Sequence, residues 1–99
     1  CIILLLLLLG CVFQPDVTSF AKELPEVRDF LEQNPDAEIK PIFLSKQNAK
    51  YLISSIRENC GQQMEEIAYW YVAVTKGNQV LKVYLDETGE QALCIIKPV

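Results

Sequence analysis

The sequence has no histidine, which removes the usual general base near neutral pH and the commonest metal ligand. Basic residues are also few. Nine Lys and Arg stand against 13 Asp and Glu, for a net charge of −4, and they form no cluster. Because nucleic acids need clustered Lys and Arg to neutralise their phosphates, we expect no nucleic-acid partner. Phosphate-loop, dinucleotide-binding and nucleophile-elbow motifs are missing as well. We therefore expect neither an enzyme nor a bound cofactor.

Long apolar runs are missing too, apart from residues 2–9 near the N-terminus. With residues 10–13 this stretch reaches about 12 residues. That length lies within the roughly 7–15 of a signal-peptide hydrophobic region and is short of the roughly 20 of a membrane span. The stretch ends at the polar sequence Gln14-Pro15-Asp16. We therefore interpret it as a secretion signal whose basic first part lies before Cys1.

The end of that stretch, Leu8-Leu9-Gly10-Cys11, resembles the lipobox of prokaryotic lipoproteins. In that family the signal peptidase cleaves between a small residue and a cysteine, and the cysteine thiol carries a diacylglycerol. The resemblance implies a signal peptide over residues 1–10, a lipid on Cys11, a tether over residues 11–16 and one domain over residues 17–99. The chain would then be membrane-anchored on the extracytoplasmic side of a prokaryotic cell envelope. The alternatives are an ordinary signal peptide, a truncated membrane helix or a buried core helix.

The four cysteines reduce to one pair under this interpretation. Cys1 is removed with the signal and Cys11 carries the lipid, which leaves Cys60 and Cys94 in an oxidising compartment. A disulfide between them would close a loop of about 35 residues and add about 3–4 kcal/mol of stability in the chain-entropy model. Two thiols without a histidine or a third nearby cysteine cannot complete a tetrahedral metal site, so we expect no metal. Two free buried thiols are the alternative.

Apolar side chains at three- and four-residue spacing predict two helices. The first covers Pro25–Gln33, and the same spacing continues back over residues 17–24. Pro25 suits the first turn of a helix, where its missing N–H has no intrahelical partner to lose. The second helix runs from an N-cap at Ser45 to a left-handed C-cap at Gly61. Its apolar face comprises Ala49, Leu52, Ile53, Ile56 and Cys60.

Four strands are predicted around and after the second helix. Residues 36–44 have strand character, and Pro41 restricts them to a sheet edge or a bulge because it has no N–H. Residues 67–75, 80–86 and 92–97 are rich in aromatic and β-branched side chains, with turn signals between them. The sequence thus predicts an α+β fold with two helices packed on a mainly antiparallel sheet, in the order α-β-α-β-β-β.

A two-residue turn at Gly77-Asn78 sets the two faces of the predicted sheet. It places Val74, Val72 and Trp70 opposite Leu81, Val83 and Leu85, which makes one face apolar. The other face carries Tyr69, Tyr71, Ala73, Lys82 and Tyr84. The three tyrosines are a candidate partner surface if nothing covers them, and the alternative is that the N-terminal helix, a loop or a second copy covers them.

The turn at residues 86–90 leaves two registers open for the last strand. A three-residue loop over residues 87–89 puts Leu93 and Ile95 on the Trp70 side and Cys94 on the tyrosine side. A four-residue loop over residues 86–89 reverses this arrangement. If the second helix covers the Trp70 side, a Cys60–Cys94 disulfide favours the four-residue loop, and Cys94 on the face away from that helix would count against the disulfide.

The sequences Tyr69-Trp70-Tyr71-Val72-Ala73-Val74 and Val83-Tyr84-Leu85-Asp86-Glu87-Thr88-Gly89-Glu90 resemble the PepSY family. The resemblance covers about residues 45–97, from the second helix to the last strand. It implies a cystatin-like α+β fold with a helix packed on a strand meander. Some members of the family lie in propeptides of secreted proteases, which they are thought to inhibit or help to fold. The resemblance therefore implies a role without catalytic residues.

The acidic groups of the chain fit structural positions. Asp86, Glu87 and Glu90 are typical of a turn rather than a cation site, and Glu65-Glu66 is typical of a solvated link rather than an acid–base pair. We therefore expect a monomeric, non-catalytic, lipid-anchored binding module whose partner is a protein or another envelope component. The alternative is a PepSY-like inhibitor or folding helper of a secreted protease.

Overall fold

The computed structural model describes residues 16–98, which form an α+β fold. Three helices and four strands follow one another in the order α-α-β-α-β-β-β. They are α1 (Val17–Glu23), α2 (Pro25–Gln33), β1 (Glu38–Leu44), α3 (Lys46–Cys60), β2 (Tyr69–Lys76), β3 (Gln79–Leu85) and β4 (Ala92–Ile96). The strands form one antiparallel sheet in the order β1-β2-β3-β4. The predicted α+β class is confirmed, and the predicted number of two helices is wrong.

Pro25 accounts for the extra helix. The ring of a proline disfavours helical backbone in the residue before it, and Leu24 is accordingly extended, with φ −69° and ψ 135°. Leu24 therefore ends α1 and begins α2, with Pro25 in the first turn of α2. At the start of α1, the Asp16 carboxylate accepts hydrogen bonds from the N–H and the hydroxyl of Ser19.

Helix α3 has the ends that its sequence predicts. The Ser45 side chain accepts a hydrogen bond from the Asn48 N–H, which makes Ser45 the N-cap. At the other end Gly61 takes φ 109°, which favours glycine, and its N–H donates to the Arg57 carbonyl. The ψ of 165° differs from the predicted left-handed cap. The helix boundaries are confirmed and the cap conformation is corrected.

Strand β1 lies at one edge of the sheet, as Pro41 predicts. Pro41 is opposite Val72 in an uninterrupted pairing between β1 and β2. A proline at an edge removes a donor that would otherwise be available to a further strand. This edge is therefore poorly suited to extension of the sheet by another chain.

The two faces of the sheet carry separate cores. The face bearing Trp70, here the Trp70 face, packs against α1 and α2; its fully buried members are Val17, Ala21, Val27, Val72, Val74, Leu81, Val83 and Leu85. The opposite face, here the tyrosine face, packs against α3; its buried members are Ala49, Ile56, Met64 and Tyr69. The condition under which the disulfide would favour the four-residue loop, with α3 on the Trp70 face, is therefore not met. Leu44, the last residue of β1, packs on the tyrosine face, and α3 follows directly on that side.

The last strand pairs in a register that neither prediction gives, because Val83 is opposite Ile95 and Tyr84 is opposite Cys94. Ile95 is nevertheless on the Trp70 face and Cys94 on the tyrosine face, the sides that the three-residue loop predicts. Leu85 is opposite Ala92, so Leu93 is an extra residue in β4, and it packs with the tyrosine-face core. The placement of Ile95 and Cys94 is confirmed for the three-residue loop, and the placement of Leu93 is wrong.

The turn before β4 is organised by Asp86. One carboxylate oxygen accepts hydrogen bonds from the Thr88 hydroxyl at 3.0 Å and from the Glu90 N–H at 2.9 Å. Burial acts to raise the pKa of Asp86, but these hydrogen bonds, with one from the Gln91 N–H, outweigh it and lower the pKa. Gly89 has φ 74°, a conformation that favours glycine. Asp86 therefore stabilises the turn, which is the structural role that the sequence predicts for it.

Candidate binding surface

The disulfide predicted between Cys60 and Cys94 is present, and it lies on the tyrosine face. Their sulfur atoms are 2.02 Å apart and their Cα atoms 5.8 Å apart. The bond joins the last residue of α3 to the middle of β4. It fixes the C-terminal end of α3 on the sheet, while the chain itself fixes the N-terminal end through Ser45. Helix α3 therefore crosses the tyrosine face from β1 to β4.

Tyr69 is part of the core rather than of a surface. Its side chain is 1% exposed and packs with Ala49 and Ile56 of α3. Its hydroxyl donates a hydrogen bond to the Glu65 carbonyl. Burial raises the pKa of Tyr69, so the phenol is neutral near pH 7. The prediction that Tyr69 contributes to an open partner surface is corrected by this burial.

Tyr71 and Tyr84 are half-buried and pack against each other. Their ring centroids are 5.1 Å apart and the rings are tilted by 45°. Tyr84 also contacts the core under α3, whereas Tyr71 belongs to neither of the two packed cores of residues 16–98. Burial raises the pKa of both phenols, and for Tyr84 the neighbouring Tyr71 adds to the effect. Both rings therefore present neutral hydroxyl groups.

The pairing of the strands arranges the tyrosine face in rows. The row under the start of α3 contains Leu44 and Tyr69. The rows beyond it are, in order, Ile42-Tyr71-Tyr84-Cys94, Lys40-Ala73-Lys82-Ile96 and Glu38-Thr75-Val80. We call the uncovered part of these rows the open half-face, and it consists of Ile42, Tyr71, Lys40, Ala73, Lys82 and Ile96. Its six residues are outside both packed cores of residues 16–98.

The dimensions of the sheet explain why this part stays uncovered. Strand β2 has eight residues, which at about 3.3 Å per residue gives a length of about 26 Å. One helix with its side chains is about 10–12 Å wide. The Trp70 face has two helices against it, whereas the tyrosine face has only α3 among residues 16–98. The open half-face is therefore about as wide as one further helix.

Helix α3 borders the open half-face with one of its flanks. Its other flank faces the loop before β2: Lys46 lines a cavity of about 420 Å³ with Ile67, and Arg57 donates a hydrogen bond to the Met64 carbonyl. At 3.6 residues per turn, Leu52 lies on the flank opposite to Lys46 and Arg57. Leu52 is 45% exposed, although the sequence predicts it on the buried face. It therefore forms an apolar wall beside the row that contains Tyr71.

Sequence reasoning placed Tyr71, Ala73 and Lys82 on one face, but it did not place Ile42, Lys40 or Ile96 beside them. Ile42 is 41% exposed and lies directly opposite Tyr71, a pairing that depends on the partner of β1. Lys40 and Lys82 lie in one row for the same reason. Strict alternation along β1 would have placed Lys40 and Ile42 on one face. The signal was present, but the neighbour of β1 was not assigned.

The acidic residues between positions 16 and 98 form no metal site. Within residues 16–98, no three His, Cys, Asp or Glu side chains are grouped so that they could hold a metal ion. A further cavity, of about 340 Å³, lies between α2 and β3, with Phe30 and Leu81 in its lining and Lys97 beside Glu26 and Asp29. Its lining carries charged groups of both signs.

Three of the sequence predictions fall wholly or mostly on residues 1–15 and so lie outside the described residues: the signal peptide over residues 1–10, the lipid on Cys11 and the tether over residues 11–16. Of the helices in residues 16–98, none has the length and apolar character that crossing a membrane requires. Compared with known proteins, the chain matches no protein-family model, no curated protein and no solved structure.

Proposed function

We propose that this chain is a non-catalytic binding module of a prokaryotic cell envelope, held to the membrane by a lipid on Cys11, and that it binds a helix of a partner protein on the open half-face. The observation that carries the proposal is the uneven coverage of the sheet. Two helices pack on the Trp70 face and one packs on the tyrosine face. A helix from a partner would lie beside α3 and complete the second layer.

The surface has the composition of a helix-binding groove. Ile42 and Tyr71 supply an apolar floor, and Leu52 supplies a wall on the side of α3. Amphipathic helices bind to such surfaces through apolar side chains at three- and four-residue spacing. Aromatic side chains often contribute much of the binding energy of an interface, and Tyr71 is the aromatic residue of the open half-face. Extension of the sheet at β1 is disfavoured by Pro41.

Alanine in place of Tyr71 or Ile42 is expected to weaken the binding of an amphipathic helix about tenfold, because each substitution removes part of the apolar floor. The probe is a synthetic helical peptide of 18 or so residues with a leucine stripe and an otherwise glutamine surface, a length of about 27 Å. Titration followed by amide NMR shifts gives both the affinity and the location of binding.

The matched control for this test is Tyr51→Ala. Tyr51 is a tyrosine on α3 that is 91% exposed and outside the open half-face. It should leave the peptide affinity unchanged. The proposal fails if the peptide does not bind, if its shifts map elsewhere, or if Tyr51→Ala weakens binding as much as Tyr71→Ala.

Lipidation of Cys11 is expected to raise the intact mass of the membrane-bound protein by one diacylglycerol group, and Cys11→Ser should release the chain from washed membranes. The reason is that the acylated thiol is the proposed attachment. The measurement is intact-mass spectrometry of the membrane fraction with the full chain. A Cys11→Ser form that remains with the membrane would contradict the anchor, and it would leave the binding surface unaffected.

Inhibition or assisted folding of a secreted protease is a second candidate, which the PepSY resemblance implies. The helix α3 followed by the meander β2-β3-β4 supports it, because the resemblance implies that order. The two candidates differ in their effect on a protease. A purified secreted protease would lose activity, or would refold faster, in the presence of the chain only under the second candidate.

A further inference from the structure

We infer that the partner helix is acidic and carries two carboxylates seven residues apart, which pair with Lys40 and Lys82. This inference rests on the proposed function and specifies the chemistry of the partner at the same surface. It starts from the position of the two lysines, which lie in one row on β1 and β3 with Ala73 between them.

The two lysines are available to a partner. Among residues 16–98 the ion pair present joins Lys76 to Asp36, and neither Lys40 nor Lys82 forms an ion pair within that part of the chain. Glu38 is the acidic residue nearest in the rows, and it lies beyond Lys40 next to Thr75. The flank of α3 beside the surface carries Asn48, Leu52 and Asn59 and no acid. The open half-face is thus positive in a chain whose net charge is −4.

The spacing of the lysines selects a spacing of carboxylates. Neighbouring strands are about 4.8 Å apart, and β1 and β3 are two such spacings apart. Lys40 and Lys82 are therefore separated by about 9.6 Å. A helix rises about 1.5 Å per residue, so residues seven apart are about 10.5 Å apart and on the same side. Residues four apart are separated by only about 6 Å. A helix that crosses the strands as α3 does can therefore place carboxylates seven apart against both lysines.

The neighbouring groups favour an acidic partner as well. Ala73 has a small side chain and leaves room between the two lysines. Tyr71 and Tyr84 are neutral, so they add no negative charge against the carboxylates. Lysine stems pack along apolar surface while their ammonium groups stay in water. The row Lys40-Ala73-Lys82-Ile96 can therefore contact both the apolar stripe of a partner helix and the carboxylates beside that stripe.

The test uses three helical peptides that share one leucine stripe. The first carries two glutamates seven residues apart, the second carries them four apart, and the third carries two lysines seven apart. With the full chain, the first peptide should bind about fivefold more tightly than the second and about tenfold more tightly than the third. These differences should shrink as salt is raised, because exposed ion pairs are screened. Titration calorimetry and NMR shifts give the affinities and the location.

Reversing the charges on the protein should reverse the preference. The variant Lys40→Glu/Lys82→Glu should bind the lysine peptide more tightly than the first peptide. The matched control Lys46→Glu/Lys50→Glu makes the same change on α3 outside this surface, and it should retain the preference for the acidic peptide. Far-ultraviolet circular dichroism checks that both variants are folded.

The outcomes separate this inference from the proposed function. If all three peptides bind the open half-face equally, or the lysine peptide binds best, the acidic partner is wrong and the helix-binding surface stands. If Lys46→Glu/Lys50→Glu loses the preference for the acidic peptide as fully as Lys40→Glu/Lys82→Glu does, the lysine pairing is also wrong, because the preference would then depend on net charge alone. If no peptide binds that surface, both are wrong. Displacement of the first peptide by vesicles of an anionic lipid would assign the surface to the membrane and overturn the inference.

Discussion

Replacing Cys60 and Cys94 by alanine is expected to lower the free energy of unfolding by about 3–4 kcal/mol. The two cysteines are separated by 34 residues, and closing a loop of about that length restricts the unfolded chain by this amount in the chain-entropy model. A domain of this size has about 5–15 kcal/mol of stability in total, so the expected loss is a large share of it. The measurement is urea unfolding of the oxidised protein and of the double variant.

The loss should be concentrated in α3. Of its 15 residues only Ala49 and Ile56 are fully buried, so the helix has few core contacts of its own. Without the disulfide, the amide hydrogens of α3 should exchange faster than those of β2 and β3, which also form the core under α1 and α2. Reduction of the unmodified protein should reproduce the result. A loss of less than about 1 kcal/mol in the free energy of unfolding would contradict this role of the disulfide. A uniform increase in amide hydrogen exchange across the domain would contradict it as well.

The same bond bears on the proposed binding surface. The disulfide fixes the end of α3 on β4, and the flank of α3 that carries Leu52 borders the open half-face. A loosened α3 would expose the apolar residues beneath it, including Tyr69, and would no longer hold the wall in place. We therefore relate the disulfide to the shape of the surface as well as to the stability of the domain.

Local signals in the sequence predict much of this fold. Ser45 and Gly61 mark the ends of α3, because few residue types supply an N-cap oxygen or adopt a positive φ. The turn at Gly77 predicts the pairing of Trp70 with Leu85, and the structure has it. The even pair of cysteines predicts the disulfide. In each case the determining residues are close in sequence or are covalently joined.

The side on which α3 packs is a different kind of property. Alternation separates the valine and leucine side chains of one face from the tyrosines of the other, but both faces contain enough apolar surface to bury a helix. The choice depends on α1 and α2 filling the Trp70 face, which is a long-range packing effect. The extra residue in β4, Leu93, is likewise decided by contacts with the core under α3. The open half-face follows from these two features, so the sequence could name Tyr71 but could not show its surroundings.

Tyr69 and Tyr71, two tyrosines of one face, should respond very differently to substitution, because the structure buries them to different degrees. Tyr69→Ala is expected to cost about 3–5 kcal/mol of stability, the usual range for removing a buried aromatic ring. Tyr69→Phe should cost about 1 kcal/mol, because it removes only the hydrogen bond to the Glu65 carbonyl. Tyr71→Ala, at a half-buried position outside both cores, should cost about 1 kcal/mol.

Denaturant unfolding of the three variants, combined with peptide binding, separates a core role from a surface role. Tyr69→Phe should retain peptide affinity despite its loss of stability, whereas Tyr71→Ala should lose affinity while it remains folded. An equal effect of Tyr69→Ala and Tyr71→Ala on stability would contradict the burial of Tyr69 under α3. A loss of affinity in Tyr69→Phe would instead place its hydroxyl at the interface. The pattern across the three variants therefore tests whether α3 divides the tyrosine face into a core and a binding surface.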